Sequence, residues 1–328
     1  MATNVAPALH VTIVTPAPRR SRLGNRTTAL RLAGLLRGLG ARVRIAERWR
    51  GEACDLLFAV HARKSAASVL AAAAALPHLR VAVLLAGTDI YPQFAPDAAT
   101  TAALDRADAL IALQPEAIAV LPPHLRPRAR TIVQSATAVP GVRARDRFAT
   151  CVVAHLRPIK DPLLPFAAVA ALPASPRIEC VLAGGALDAD LAAAARAAAA
   201  RDPRCRWVGE LDRRGTRRLI ASSHLCIVPS RAEGGANVVS EAIAAGTPLA
   251  VSRVPGNLGL LGADWPAQFS TGDAGELAAL LAALAGDSRR YDAVVARTLA
   301  LQHLVAPARE RAELARLCTD LGISCERR

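Results

Sequence analysis

Glu233-Gly234-Gly235-Ala236-Asn237-Val238-Val239-Ser240-Glu241 sets two carboxylates eight residues apart around a glycine pair. The apolar run before it, Leu225-Cys226-Ile227-Val228-Pro229-Ser230, reads as a buried parallel strand. The segment after it, Ala242-Ile243-Ala244-Ala245-Gly246, reads as the body and glycine end of a short helix. Glu233 then falls in a strand-to-helix loop and Glu241 inside the helix. Between them lie the backbone N–H groups of a helix N-terminus, which together with the helix dipole attract a phosphate. The acids repel such a phosphate, but they suit the hydroxyls of a sugar or a ribose. A phosphate flanked by hydroxyl-bearing rings describes a nucleotide-sugar.

Outward from this segment, apolar runs alternate with helical ones. In the first half, strands are expected at Val11–Thr15, Val43–Ala46, Leu56–Val60, Val81–Leu85, Ala109–Leu113 and Thr131–Val133. Helices are expected at Asn25–Leu39, Ser65–Ala75, Thr100–Arg106 and Pro115–Leu121. The rhythm restarts near Thr150, after a Pro-, Gly- and charge-containing stretch, Val139 to Arg147, that reads as a linker. Strands then fit Cys151–Ala154, Glu179–Ala183, Arg206–Val208, Leu225–Val228 and Leu249–Val251. Helices fit Leu163–Ala171, Asp188–Arg201, Arg213–Ser222, Ala236–Ala245 and Ala274–Leu284, with a helical tail from Ser288 ending in Ala308–Leu321. Alternating βα units imply an α/β fold of parallel sheets with helices on both faces. The expectation is two Rossmann-like domains, 1–145 and 146–328, facing across a cleft, with a C-terminal helix crossing back to the first. Ligands of such sheets bind beyond the C-terminal strand ends.

The chain has 328 residues, 52% of them hydrophobic, which is enough for two cores. Lys64 and Lys160 are the two lysines among 41 basic residues, so an isolated surface arginine is weak evidence here. The formal charge of +14 comes without clustered aromatics. That pattern argues against nucleic acid and for a positive field that gathers small anions. Seven cysteines form no C-x-x-C pair; Cys54, Cys151, Cys180 and Cys226 lie in or beside apolar runs and read as core residues, and the odd count and spacing imply no zinc site and a reducing compartment. No run is long enough to span a bilayer and the N-terminus lacks a signal core, so a cytoplasmic protein without membrane insertion is expected. Asp188-Ala189-Asp190 opens a helix and reads as a cap, so no metal and no other cofactor is expected.

Other loops carry charge or glycine. His155-Leu156-Arg157-Pro158-Ile159-Lys160-Asp161-Pro162 puts Arg157 and Lys160 in the first βα loop of the second half. Fixed cations there stabilise the negative charge of a departing diphosphate. Gly184-Gly185 ends a strand, and Val208-Gly209-Glu210-Leu211 ends the next. In the first half, Pro16 to Arg26 holds Arg19, Arg20, Arg22, Gly24, Asn25 and Arg26. His61-Ala62-Arg63-Lys64-Ser65 and Gly87-Thr88-Asp89 follow two further strands. A cationic lining at these strand ends points to an anionic acceptor.

The Glu-x7-Glu segment resembles that of the retaining GT-B glycosyltransferases, a GT4-like group. That resemblance implies Glu233 at the donor sugar and Glu241 at the ribose, with Gly234, Gly235, Ala236, Asn237 and Val238 offering N–H groups to sugar and diphosphate. It implies Lys160 and Arg157 at the leaving diphosphate, and Gly24, Asn25, Gly184, Gly185 and Gly209 around the donor. The first-half loops, with Trp49-Arg50-Gly51-Glu52-Ala53-Cys54-Asp55 and Gln134-Ser135-Ala136, also resemble the selenosugar synthases of selenoneine biosynthesis. This implies a UDP-sugar donor of the UDP-GlcNAc type and selenophosphate as acceptor, held by Arg22, Arg26, His61, Arg63, Lys64, Thr88 and Asp89. His61 would also join the catalytic set, and the implied partners are enzymes that supply selenophosphate and consume the selenosugar. The alternatives are a transferase of the same fold with a hydroxyl acceptor, and a non-catalytic nucleotide-binding module.

Overall fold

The computed structural model describes residues 9–91, 93–174 and 177–323. The chain divides into two compact units, Met1–Gln134 with Pro307–Arg328, and Ser135–Ala306. The expected division at 145/146 thus differs from the observed one in two respects. The linker segment is tied to the second unit, where Arg143 donates to the Gly246 carbonyl (2.9 Å) and Val142 N–H to Ser222 Oγ (3.3 Å). The last helix belongs to the first unit.

The first unit runs β1 (His10–Val14), α1 (Gly24–Gly38), β2 (Arg42–Ala46), β3 (Leu56–Val60), α2 (Ala62–Ala75), β4 (Arg80–Leu85), α3 (Ala98–Arg106), β5 (Ala109–Ala112), α4 (Glu116–Ala119) and β6 (Ala129–Thr131). Its sheet is parallel, in the order β2-β1-β3-β4-β5-β6. All five residues of β3 are buried, as expected of a continuous apolar run covered on both faces. The edge strand β2 exposes Arg42 and Arg44 and has no buried residue. Strand β6 lies two residues earlier than its apolar residues indicate, because the 3-10 turn Arg126–Arg128 delivers the chain to the sheet edge at Ala129.

The second unit runs β7 (Phe148–Val153), α5 (Leu164–Ala170), β8 (Ile178–Ala183), α6 (Ala189–Arg201), β9 (Cys205–Trp207), α7 (Arg213–Ala221), β10 (Leu225–Val228), α8 (Asn237–Ala245), β11 (Leu249–Ser252), α9 (Pro255–Leu261), β12 (Gln268–Phe269), α10 (Ala274–Gly286) and α11 (Ser288–Ala300). Its parallel sheet has the order β12-β11-β10-β7-β8-β9. Helix α9 and strand β12 escaped the sequence pattern because each is short. Asp188 caps α6 as expected, accepting from Leu191 N–H at 3.0 Å.

Cys151 and Cys226 are register partners on neighbouring strands, as are Cys180 and Cys205 on the next pair. All four are buried; desolvation raises the Cys180 and Cys205 thiols, Cys205 to about 12, and the Cys226 thiol is raised first by its hydrogen bond with Cys151 and then by burial. Cys318 departs from the expectation of free thiols, because it is disulfide-bonded. Cys325 lies outside the described residues.

The chain then closes on itself with α12 (Pro307–Asp320). Leu314, Leu317 and Cys318 join the first unit's core beside Leu32, Leu36 and Phe58. A buried ion pair, Arg31 Nε to Glu310 Oε1 at 3.1 Å, ties α12 to α1. The expected return of the terminal helix is therefore observed. No helix among the described residues is long and apolar enough to cross a membrane.

Candidate active site

In the second unit the chain leaves β7 toward β8 and β9 on one side, then returns to place β10 on the other side. The switch point thus lies between β7 and β10, where parallel α/β sheets bind their ligands. The loops leaving these two strands carry the cationic turn and the Glu-x7-Glu segment.

The two loops are joined at three points. Lys160 Nζ lies 2.6 Å from Glu233 Oε1. Arg231 N–H donates to the Ile159 carbonyl (2.9 Å), and its guanidinium pairs with Asp161 Oδ2 (2.8 Å). Asp161 adopts a left-handed backbone, φ 44°, at the end of the 3-10 turn Pro158–Lys160, an unusual conformation for a residue other than glycine. Glu233 is buried, and its Oε1 also accepts from Ser230 Oγ at 2.6 Å. Two donors on one oxygen fix the carboxylate and leave Oε2 with no bond among those described. Arg157 is exposed at the head of the turn.

Glu233 has a further support that the sequence pattern did not reveal. Ser252 Oγ donates to the Ser230 carbonyl (2.6 Å), and buried Asn257 Nδ2 donates to the Ser252 carbonyl (3.1 Å). Gly256, in the first turn of α9, passes so close that a Cβ there would overlap the Glu233 carbonyl oxygen. A Gly and an Asn shortly after Pro255 were the available signal, and a seven-residue helix without an apolar period hid it.

Helix α8 begins at Asn237 with Ala236 as its cap residue, no side-chain cap and no acid in its first turn. No acid within its own first turn offsets the partial charge of its N-terminus. Gly235 reaches it with φ 149°, a backbone conformation that side chains rarely adopt. Gly234 is buried, and Val238 packs inward. Glu241 lies on the helix beside Arg217, with Nε to Oε1 at 3.9 Å.

On the other side of β7, Gly184 N–H donates to the Gly209 carbonyl (2.8 Å) and Gly185 N–H to His155 Nδ1 (3.0 Å). A Cβ at 184 would overlap the Ala154 carbonyl. Gly184 is thus required by the closeness of two strand ends, a structural role beside the one expected for it at the donor. Gly209 turns with φ 72°.

The first unit assembles its own niche at the ends of β3 and β4. His61 is buried with φ 75°, a strained conformation for a residue with a side chain. Its Nδ1 accepts from Lys64 N–H (3.4 Å), capping α2, and its Nε2 lies 3.0 Å from Thr88 Oγ1. Burial lowers the His61 pKa; Asp89 opposes that shift, while Lys64 and Arg63 reinforce it. Nδ1 as acceptor and Nε2 as donor describe one neutral tautomer. Arg63 and Lys64 occupy the first turn of α2, where the dipole disfavours cations, and that turn contains no acid. Arg63 donates to the Ala95 carbonyl (2.6 Å).

Asp89 differs from its expected role as an acceptor contact. Its carboxylate accepts from the N–H groups of Ala62 (2.7 Å), Ala86 (2.9 Å) and Gly87 (2.7 Å), and is buried. Those bonds make it the clasp that holds the His61 and Thr88 loops together. Gly24 and Asn25 open α1, and Thr15 Oγ1 donates to the Asn25 carbonyl at 3.3 Å. Arg22 is exposed and Arg26 partly buried.

Residues 148–287 match the family described as Glycosyl transferases group 1. No curated protein sequence matches the chain. Anabaena HepE, solved with UDP-glucose, superposes with a TM-score of 0.77 at 14% identity, covering 95% of this chain and 100% of HepE. Sucrose-phosphate synthase from Thermosynechococcus elongatus superposes at 0.80 and 16% identity, covering 96% and 99%. The pneumococcal O-GlcNAc transferase GtfA, solved with UDP and GlcNAc, superposes at 0.62 and 15% identity, covering 88% of this chain and 59% of GtfA. The chain has the GT-B fold.

Proposed function

We propose that this chain transfers a sugar from a nucleotide diphosphate, with the second unit holding the donor. The observation that carries this reading is the Lys160–Glu233 pair at the β7/β10 switch point, next to the uncapped N-terminus of α8. The pair joins a cation, which a leaving diphosphate needs, to an acid that suits sugar hydroxyls. The family match over 148–287 covers the same loops, and HepE and GtfA, of like fold, were solved with UDP.

In this reading the α8 N-terminus and Gly235 to Val238 receive the diphosphate, Glu233 the sugar and Glu241 the ribose. Lys160 and Arg157 stabilise the charge that develops as the bond from the anomeric carbon to the diphosphate oxygen breaks. The donor is a UDP-sugar of the UDP-GlcNAc type.

The acceptor is selenophosphate. Its selenium supplies the electron pair that forms the carbon–selenium bond, and the nucleoside diphosphate leaves with the pair of the broken bond. Water then cleaves the P–Se bond to release phosphate and the selenosugar. Support comes from the resemblance of the first-half loops, and from Arg63 and Lys64 in an acid-free helix turn beside neutral His61. Selenium is already anionic, so His61 positions the acceptor instead of deprotonating it.

The test is UDP release from UDP-GlcNAc with and without selenophosphate, followed by mass analysis for the selenium isotope pattern. Selenium-dependent UDP release and a selenium-bearing sugar are expected. UDP release that answers to a hydroxyl acceptor alone removes the selenium chemistry and keeps the donor reading. UDP binding without any turnover removes both in favour of a binding module.

A further inference from the structure

We propose that the first unit carries a separate site for a small anion bearing two or more phosphate charges, at the mouth of β1 and β2. A pocket of about 400 Å³ opens there, lined by Arg19, Arg26, Arg44, Arg48 and Arg50 against one carboxylate, Glu47. Its volume lies in the range of small-ligand pockets, roughly 300–1,000 Å³.

An arginine-rich chain makes any single guanidinium uninformative, so the pairing of these five decides the matter. Elsewhere in this unit arginines meet acids: Arg31 with Glu310, Arg80 with Asp108, Arg130 with Asp320. In the pocket Arg44 reaches Glu52 at 3.4 Å. Among the described residues Arg19, Arg26 and Arg48 have no ion pair. Glu47 is drawn to the backbone, accepting from Arg19 N–H at 3.1 Å.

The Nε of Arg26 is buried in this lining without a hydrogen-bond partner. A buried charged donor without an acceptor is costly, and anionic charge in the adjacent pocket offsets part of that cost through space. Helix α1 starts beside it with no side-chain cap and no acid in its first turn, adding positive potential. Guanidinium forks bind phosphate oxygens in pairs, and several converging forks select a multiply charged group over a single carboxylate.

The sheet order separates this pocket from the His61 niche, so Arg26, expected at the acceptor, is assigned to this pocket instead. The pocket lies at the end of edge strand β2 and the loop after β1, whereas His61 and Thr88 follow β3 and β4 on the other side of β1. The proposal does not rest on the donor reading, because UDP binding reports on that separately.

Calorimetric titration of the full chain with pyrophosphate and with orthophosphate at low salt tests the site. One pyrophosphate is expected to bind, more tightly than orthophosphate. The double substitution Arg19→Gln with Arg48→Gln, at exposed positions, should weaken pyrophosphate at least about tenfold and leave UDP affinity unchanged. Pyrophosphate affinity unmoved by the substitutions would overturn the site. A parallel loss of UDP affinity would also overturn it, by making the pocket part of the donor site. A single-stranded RNA oligomer that displaces pyrophosphate at lower concentration, with steep salt dependence, would overturn the small-ligand assignment.

Discussion

Glu233 Oε1 accepts from both Lys160 Nζ and Ser230 Oγ at 2.6 Å. Its position therefore depends on residues from two strand ends. Lys160→Ala removes the cation proposed for the leaving group and loosens the acid. Turnover should fall by about 10²–10³, measured as kcat with UDP-GlcNAc. The lost charge-assisted bond should cost about 1–3 kcal/mol in urea unfolding, small enough for the variant to remain folded. Ser230→Ala should disturb the sugar more than the diphosphate, raising KM for the donor while leaving UDP affinity close to wild type. A chelator should leave turnover unchanged, since the proposed reading assigns the diphosphate to fixed cations.

His61 gives a pH-dependent prediction. Burial holds its folded pKa below the ordinary 6.5. His224 is shifted the same way, by burial first and then Arg143, while the Ala149 N–H bond to its Nδ1 opposes the shift. The unfolded chain therefore takes up protons near pH 6.5 that the folded chain resists. Their contribution to stability is full above pH 6.5 and is lost as pH falls through that value toward the folded pKa values. Melting temperature should drop between pH 7.5 and 5.5, and His61→Gln with His224→Gln should flatten that dependence.

At the scale of elements, glycine separates packing from flexibility. Gly256 in α9 has no room for a Cβ beside the Glu233 carbonyl, whereas Gly34 in α1 has nothing within 4 Å. Gly256→Ala must shift either the helix or the acid, and should lower both stability and donor turnover. Gly34→Ala should stabilise by about 1 kcal/mol, since alanine is the better helix former. Thermal melts of the two variants, with activity alongside, separate the effects; equal behaviour would mean that α9 does not brace Glu233. The His61 niche obeys the same logic, because Asp89 ties α2 to the β4–α3 loop through three backbone N–H groups.

At the scale of the molecule, α12 completes the first unit from the far end of the chain. Its apolar residues enter that core, and Glu310 meets Arg31 where both side chains are under a tenth exposed. Glu310→Ala takes the ion-pair partner from the buried Arg31 guanidinium and should cost about 3–5 kcal/mol in urea unfolding. Glu313→Ala, partly exposed beside Arg316, should cost no more than about 1 kcal/mol.

The two-domain α/β rhythm, the Glu-x7-Glu loop and helix, the cationic turn and the Asp188 cap were all legible in the sequence. Each is local: strand and helix periods, glycines and caps express themselves within a few residues of chain. Only the tertiary structure decided that Lys160 reaches Glu233, since their separation of 73 positions is spanned by strand order and not by spacing. It alone showed Asp89 bound to backbone, Gly256 pressed on Glu233, the last helix in the first unit and five arginines around one pocket. Those are meetings between distant segments, fixed by how β-strands line up and by which polar groups burial leaves in need of partners.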